Sequence, residues 1–257
     1  MVVRPRQRRS RLARWSLRLA LLAVPVLVIT ALAHRFSLID TPTMYTSMAA
    51  GFFLAVAAVI TAVAAFHAIW RDGLAGFGAA LFAVCLGLLI LAVPAVGAWR
   101  IVSLPRLADV TTDTIDPPAF AFAGMADARH PARPPAAELA LQRRAYPDIL
   151  SHRYPVGVAR VLEQARTIVG YRGWHVLDEV APVSADGTAR IEAVAVTLLF
   201  AARNDVVIRI EPDGDGSRVD VRSAARYVKH DLGSNAGRIR SFLVDLDTAL
   251  AGAVGEE

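Results

Sequence analysis

The sequence predicts an α+β domain that follows three transmembrane helices. Three long apolar runs in the N-terminal part predict the membrane helices. A helix, four hairpin-linked strands and a last helix predict a four- to five-stranded antiparallel sheet covered by helices. We divide the chain into a basic arm (residues 1–18), three membrane helices (19–98), a proline-rich wrapping segment (99–154) and an α+β domain (155–257).

The charge of the chain is concentrated at its N-terminus. The net charge is +5, yet from Ala98 onward 19 basic residues face 21 acidic ones, a balance of −2. A general nucleic-acid-binding surface on the domain is therefore excluded. Cationic residues before a first apolar helix are typical of a cytoplasmic N-terminus. The arm contains seven arginines before any acidic residue: Arg4, Arg6, Arg8, Arg9, Arg11, Arg14 and Arg18.

The apolar runs predict helices over about residues 15–33, 44–70 and 74–98. The second and third exceed the ~20 residues that cross a bilayer core and carry no charge inside the run. The first run also fits a cleaved signal peptide, since it follows arginines and ends in Ala31-Leu32-Ala33. We favour an uncleaved helix, because residues 15–19 extend the run to a full span.

These helices predict a multi-pass protein of the inner membrane. With the arginines held in the cytoplasm, the first helix exits, the second returns and the third exits again. The domain after Trp99 is then extracytoplasmic. The only cysteine, Cys85, lies in a predicted membrane segment, so the domain must fold without an internal disulfide.

The domain is predicted from hydrophobic periodicity and turn residues. Proline breaks the wrapping segment, in which Arg106–Thr112 is predicted as a short strand and Ala136–Arg144 as a short helix. A helix from Pro155 to Gly170 precedes the sheet. The strands are predicted at Trp174–Val180, Arg190–Ala201, Asn204–Glu211 and Val219–Ser223, and the last helix carries Ile239, Phe242, Leu243, Leu246 and Leu250 on one stripe.

The region after the last strand contains a motif of the form R-S-x-S-R-x-G-x-x-D-x-G-x-N-x-x-R. Ala225 replaces the usual serine and Val228 the usual glycine. The sequence resembles the bacterial Domain of Unknown Function 1499 family, in a membrane-anchored form, over about residues 104–250. The resemblance implies the extent of the domain and no activity. The matching residues are Arg222, Ser223, Arg226, Asp231, Gly233, Asn235, Arg238 and, upstream, Asp109–Asp113, Asp116–Phe120, Tyr146–Asp148, Ile191–Ala193 and Val206–Ile210.

The same motif fits two interpretations, of which the first is an anion-binding site. A capped N-terminus of the last helix would present backbone N–H groups and a positive dipole end where cationic side chains converge. The alternative is purely structural, with Asp231 bonding Arg226 or Arg238 to fix the turn. The candidate residues are Arg222, Ser223, Arg226, Lys229, His230, Asp231, Asn235 and Arg238.

We expect the domain to bind a partner protein or a small anionic ligand in the cell envelope, next to the lipid bilayer and without nucleic acid. No cofactor or metal is expected, because His130, His152, His175 and His230 are scattered without ligand spacing. We do not expect an enzyme. The alternative is a membrane-tethered hydrolase using Ser223, His230 and Asp231, which supply the residue types of a triad without a G-x-S-x-G elbow.

Overall fold

A computed structural model of the protein describes residues 8–121, 130–182, 187–197 and 201–254. They form two compact units, one from the N-terminal helices up to Trp99 and one that contains nearly all of the chain from Arg100 onward. The elements are α1 (Arg11–Arg35), α2 (Thr41–Asp72), α3 (Phe77–Ser103), β1 (Asp109–Thr111), α4 (Ala136–Ala145), β2 (His152–Tyr154), α5 (Val158–Tyr171), β3 (His175–Val180), β4 (Ala189–Val196), β5 (Arg203–Asp213), β6 (Gly216–Ala225) and α6 (Ser234–Val254).

The first three helices are long and apolar enough to cross a membrane. They contain 25, 32 and 27 residues, more than the ~20 that a span requires. The prediction of three apolar N-terminal helices is confirmed. Helix α3 begins three residues later than predicted, because Gly73 ends α2 in the left-handed conformation (φ 61°).

Small residues line the contacts between these helices. A Cβ added to Gly51 would lie 2.5 Å from Cδ2 of Leu27, and one added to Gly87 would lie 2.6 Å from Cγ2 of Val59. A larger residue at either position would force the facing side chain of Leu27 or Val59 to move, so glycine allows the observed helix approach. The buried cluster between the helices consists of Ala13, Ala20, Ala58, Ala62, Ala65, Ala80 and Ala83.

The second unit is an α+β domain, as predicted. Its described part contains a six-stranded antiparallel sheet in the order β1-β6-β5-β4-β3, with β2 also paired to β6. The short strand expected near Thr112 is present as β1, whereas β2 is an additional edge strand that the sequence did not predict. Strand β4 ends at Val196; the predicted extension to Ala201 includes residues 198–200, which lie outside the described chain.

One face of the sheet is apolar and is covered by α5 and α6. Ile191, Ile208 and Val221 from its three central strands belong to one buried cluster with Val161 of α5 and Phe242 of α6. These side chains follow the two-residue period of the strands and the helical stripes that the sequence predicted.

The opposite face is charged and nevertheless buried. Glu192 of β4, Asp205 of β5, and Asp220 and Arg222 of β6 all have 0% relative exposure. The proline-rich segment supplies partners for them: the backbone N–H of Ala121 donates to Glu192 (2.9 Å). The hydroxyl of Thr112 contacts Asp220, and the imidazole of His130 contacts Asp205. The carbonyl oxygen of Pro131 contacts Arg222. The sheet is therefore enclosed on both faces, by helices on one and by an ionic layer under irregular chain on the other.

Candidate functional site

The turn between β6 and α6, residues 226–233, is the local structure on which the candidate residues depend. Leu232 (φ 56°) and Gly233 (φ 78°) are both left-handed, so the chain reverses sharply before α6. A Cβ at Gly233 would lie 2.9 Å from Cδ1 of Leu104. The N–H of Asp231 donates to the carbonyl oxygen of Leu107 (2.9 Å). The turn is thus held against the segment that leaves α3.

Asp231 caps α6. Its Oδ1 accepts a hydrogen bond from the N–H of Gly233 (2.9 Å) and its Oδ2 accepts one from the N–H of Asn235 (2.6 Å). Burial raises the pKa of Asp231, although these two N–H groups and the nearby charges of His230 and Arg238 act in the opposite direction. The carboxylate therefore stabilises the helix N-terminus and occupies two of the N–H groups that the sequence offered to an external anion.

Asn235 and Ser223 hold the guanidinium of Arg238. The side-chain amide of Asn235 donates to the carbonyl oxygen of Ala108 (2.9 Å). Its Oδ1 accepts from Oγ of Ser223 (2.9 Å) and from Nη1 of Arg238 (2.6 Å). The same Nη1 donates to Oγ of Ser223 (2.9 Å). Both residues thereby fix one end of the arginine.

Arg222 is fully buried and all five of its N–H groups are used. Nε and Nη2 donate to the two carboxylate oxygens of Asp109, at 3.0 and 2.7 Å. Nη1 donates to the carbonyl oxygens of Pro118 and Ala132, both at 3.0 Å. The second N–H of Nη2 donates to the carbonyl oxygen of Pro131 (2.9 Å). Arg222 therefore joins β1, β6 and the proline-rich segment, and has no donor left for a ligand.

Arg226 is also committed to a carboxylate. Its Nε and Nη2 bind Asp205 at 3.0 and 2.7 Å, and its side chain is only 4% exposed. Nε2 of His130 lies 2.7 Å from the other oxygen of Asp205. The ring of His130 lies against that of Phe120, with centroids 4.9 Å apart. This arrangement ties the proline-rich segment to β5.

Arg238 is in the opposite situation, since no carboxylate of the described residues lies within 4 Å of it. The pKa of Arg238 is lowered to about 10, mainly by burial; the charge of Asp231 opposes this shift and the charge of Arg172 adds to it. The group is still protonated at neutral pH. Its Nε and Nη2 have no hydrogen-bond acceptor in the part of the chain that the structure describes.

Further unused polar atoms surround Asp231 and the start of α6. The hydroxyl of Tyr146 is buried without a hydrogen-bond partner among the described residues, and so is Nε2 of His230. The Nδ1 of His230 accepts from the N–H of Leu232 (3.1 Å), so a neutral ring carries its proton on Nε2. Lys229 is exposed. We call Tyr146, Lys229, His230 and Arg238 the Arg238 corner.

Ser223, His230 and Asp231 do not assemble into a relay. Ser223 is fully buried and its hydroxyl bonds Asn235 and Arg238. His230 accepts a backbone N–H, and Asp231 binds two more. Within the described chain no hydrogen bond joins any two of the three side chains, whereas a triad needs the base bonded to both the nucleophile and the orienting acid.

Sequence reasoning missed the carboxylates that neutralise the buried arginines. Asp109 is 113 positions from Arg222, and Asp205 is 21 positions from Arg226, so no local spacing signals either pair. It also missed Tyr146. Asp109 and Tyr146 do belong to the stretches that carry the family resemblance, which was the available signal.

The comparison with family models matches residues 109–246 to the family described as Protein of unknown function (DUF1499). The match covers more than half of the chain and includes β1 through most of α6. The chain belongs to this family. In this DUF1499 protein, both acid–arginine pairs and the Arg238 corner lie inside the matched region. No match is found among curated proteins.

Proposed function

We propose that this protein is a membrane-anchored binding protein, and that its DUF1499 domain binds an anionic group at the Arg238 corner. We place the domain on the extracytoplasmic side of a bacterial inner membrane, because the arginine-rich N-terminal arm favours a cytoplasmic start and three spans then bring the domain outside. The ligand is a small anion or an anionic group on a partner in the cell envelope.

The lack of a carboxylate within 4 Å of Arg238, among the described residues, is the observation that carries this proposal. A partly buried guanidinium loses hydration, and its charge is normally balanced by a carboxylate. Arg222 and Arg226 have such partners at 2.7 Å, whereas Arg238 has none among the described residues. A bound anion would supply the missing charge.

The free edge of Arg238 has the geometry that carboxylates and phosphates require. Nε and Nη2 present two parallel N–H groups, which match two oxygens of one anion. Nη1 is held by Ser223 and Asn235, so the guanidinium is already oriented. The Nε2–H of His230 and the hydroxyl of Tyr146 are buried donors near Asp231, and Lys229 is an exposed cation two positions before Asp231.

Binding is favoured over hydrolysis by the same contacts. The hydroxyl of Ser223 has Asn235 and Arg238 as partners, so no base activates it. Its role in the proposal is to position the arginine.

The proposal is tested by titrating inorganic phosphate into the full-length protein in neutral detergent micelles, with binding followed by calorimetry. Arg238→Gln removes the guanidinium that would bind the phosphate, and it is expected to weaken phosphate binding about 10-fold or more. Lys229→Ala, a change at an exposed residue, is expected to weaken it about five-fold. The matched control is Arg153→Ala, which removes an equally positive residue at the other end of β6, where Arg153 pairs with Asp213.

Equal phosphate affinity of the wild type, Arg238→Gln and Arg153→Ala would contradict the proposal, as would the absence of binding by the folded wild type. Arg238→Lys keeps the charge without the two parallel donors, so it separates geometry from charge. Unfolding midpoints of all variants establish that the fold is retained.

A further inference from the structure

The Arg238 corner lies next to the point where the chain leaves the third apolar helix. Helix α3 ends at Ser103, and Leu104 is the residue that approaches Gly233 in the turn. Three residues later, the carbonyl oxygen of Leu107 accepts the N–H of Asp231. The start of α6 is thus attached to the first residues that follow a candidate membrane span.

The length of α3 sets the depth of this attachment. Arg100 is the basic residue in its last turn, after an apolar run that ends at Ala98. From Arg100 to Leu104 the chain advances about 6 Å along a helix axis. The polar headgroup layer on each side of a bilayer is about 5–8 Å thick. If α3 crosses the bilayer, Leu104 and the turn attached to it lie at the level of the headgroups.

The exposed side chains of the turn are those of a membrane interface. Tyr227 is 48% exposed and Val228 is 37% exposed, and the next residue is the exposed Lys229. Ile101 and Val102 at the end of α3 are also exposed. Tyrosine and lysine beside aliphatic side chains are typical of segments at the headgroup boundary, where apolar groups enter the acyl region and cations meet phosphate.

We infer that the anion bound at the Arg238 corner is the phosphate of an anionic membrane phospholipid, with Tyr227 and Val228 in contact with the same lipid layer. The inference rests on the proposed function and identifies its ligand. A soluble phosphate offers the same oxygens to Arg238, but it gives no role to the exposed apolar pair beside Lys229. A phospholipid satisfies the charge and the apolar surface together.

The test places one fluorophore on the turn of the full-length protein in nanodiscs. Cys85→Ser removes the only native thiol, and Val228→Cys introduces the labelling position. The control label is at Asp215→Cys, an exposed residue at the opposite end of the ten-residue strand β6, about 30 Å away. Quenching is measured with trace spin-labelled phospholipid whose headgroup is either anionic or neutral.

We expect the label at position 228 to be quenched and the label at 215 to remain unquenched. The anionic lipid should quench about five-fold more effectively than the neutral lipid for each cation that contacts it. Lys229→Gln and Arg238→Gln should remove this preference for anionic lipid. Because Lys229 is exposed, Lys229→Gln should leave the fold intact, and it can be measured even if Arg238→Gln does not fold.

Three results would overturn the inference. Equal quenching at positions 228 and 215 would mean that the turn does not contact lipid. If phosphate then still binds through Arg238 in neutral micelles, the proposed function stands and only the assignment of the ligand as a lipid is wrong. Quenching at 228 that is identical for both headgroups would mean lipid contact without preference for an anionic phospholipid. Loss of both phosphate binding and lipid contact would remove the proposed function as well.

Discussion

Arg222 and Arg238 belong to one sequence motif and have opposite environments. Arg222 is fully buried and its five N–H groups are used by one carboxylate and three carbonyl oxygens. Arg238 is held by a hydroxyl and an amide oxygen and has two nitrogens without an acceptor in the described chain. The motif therefore contains one arginine that joins three parts of the fold and one that has no carboxylate within 4 Å among the described residues. A count of basic residues does not separate the two roles; the position of the acids does.

The largest expected effect is that of Arg222→Met. The change removes the cation that lies 2.7 Å from Asp109 and leaves carbonyl oxygens of the proline-rich segment without this donor. Removing one member of a buried ion pair lowers the free energy of unfolding by about 3–5 kcal/mol. Urea unfolding of the full-length protein in neutral micelles measures it. The control Arg153→Ala, at an exposed pair, should change it by less than about 1 kcal/mol; similar losses for both variants would contradict the comparison.

A smaller loss is expected from Asp205→Asn. The amide still accepts one hydrogen bond, but the charge that balances Arg226 and lies beside His130 is gone. We expect about 2–3 kcal/mol of destabilisation by the same urea measurement. In the double variant Asp205→Asn with Arg226→Met, the loss should be smaller than the sum of the two single losses, because neither charge then remains buried and unpaired. Strict additivity would show that the pair is not coupled.

The fold was predictable where a long periodic pattern determined an element. Helix α5 buries the stripe from Val158 to Val169 against the sheet that contains the apolar strand β4. The hydrophobic period of each segment therefore predicted both its type and its buried face. Strand β2 has three residues, too few for an alternating pattern, and it forms because β6 offers an edge at Val219 and Ser217. Its existence depends on tertiary pairing that a single short segment does not encode.

The site was predictable only in part, because charge compensation is non-local. The structural alternative joined Asp231 to Arg226 or Arg238, whereas in the structure Asp231 caps α6 and Arg226 pairs with Asp205. Arg190 binds Asp178, Arg209 binds Asp113, Asp116 and Asp220, and Glu192 accepts the N–H of Ala121. These choices depend on how the proline-rich segment crosses the sheet.

The smallest expected effect is that of Asp231→Asn, and its dependence on pH is its distinguishing feature. The variant keeps one acceptor for the α6 cap and should be destabilised by about 1 kcal/mol or less at neutral pH. Because burial raises the pKa of Asp231 in the folded protein above its ordinary value of 3.8, the folded state favours the protonated acid. The contribution of this group to stability is therefore fully present below pH 3.8 and is lost as the pH rises through the folded-state pKa.

Urea unfolding of both proteins from acidic to neutral pH should show the advantage of the wild type over Asp231→Asn shrinking as the pH rises. An advantage that grows with pH would mean that the ionised carboxylate is stabilised by the helix N-terminus and Arg238 more than burial opposes it, and Arg238 would then already have its counter-charge within the protein.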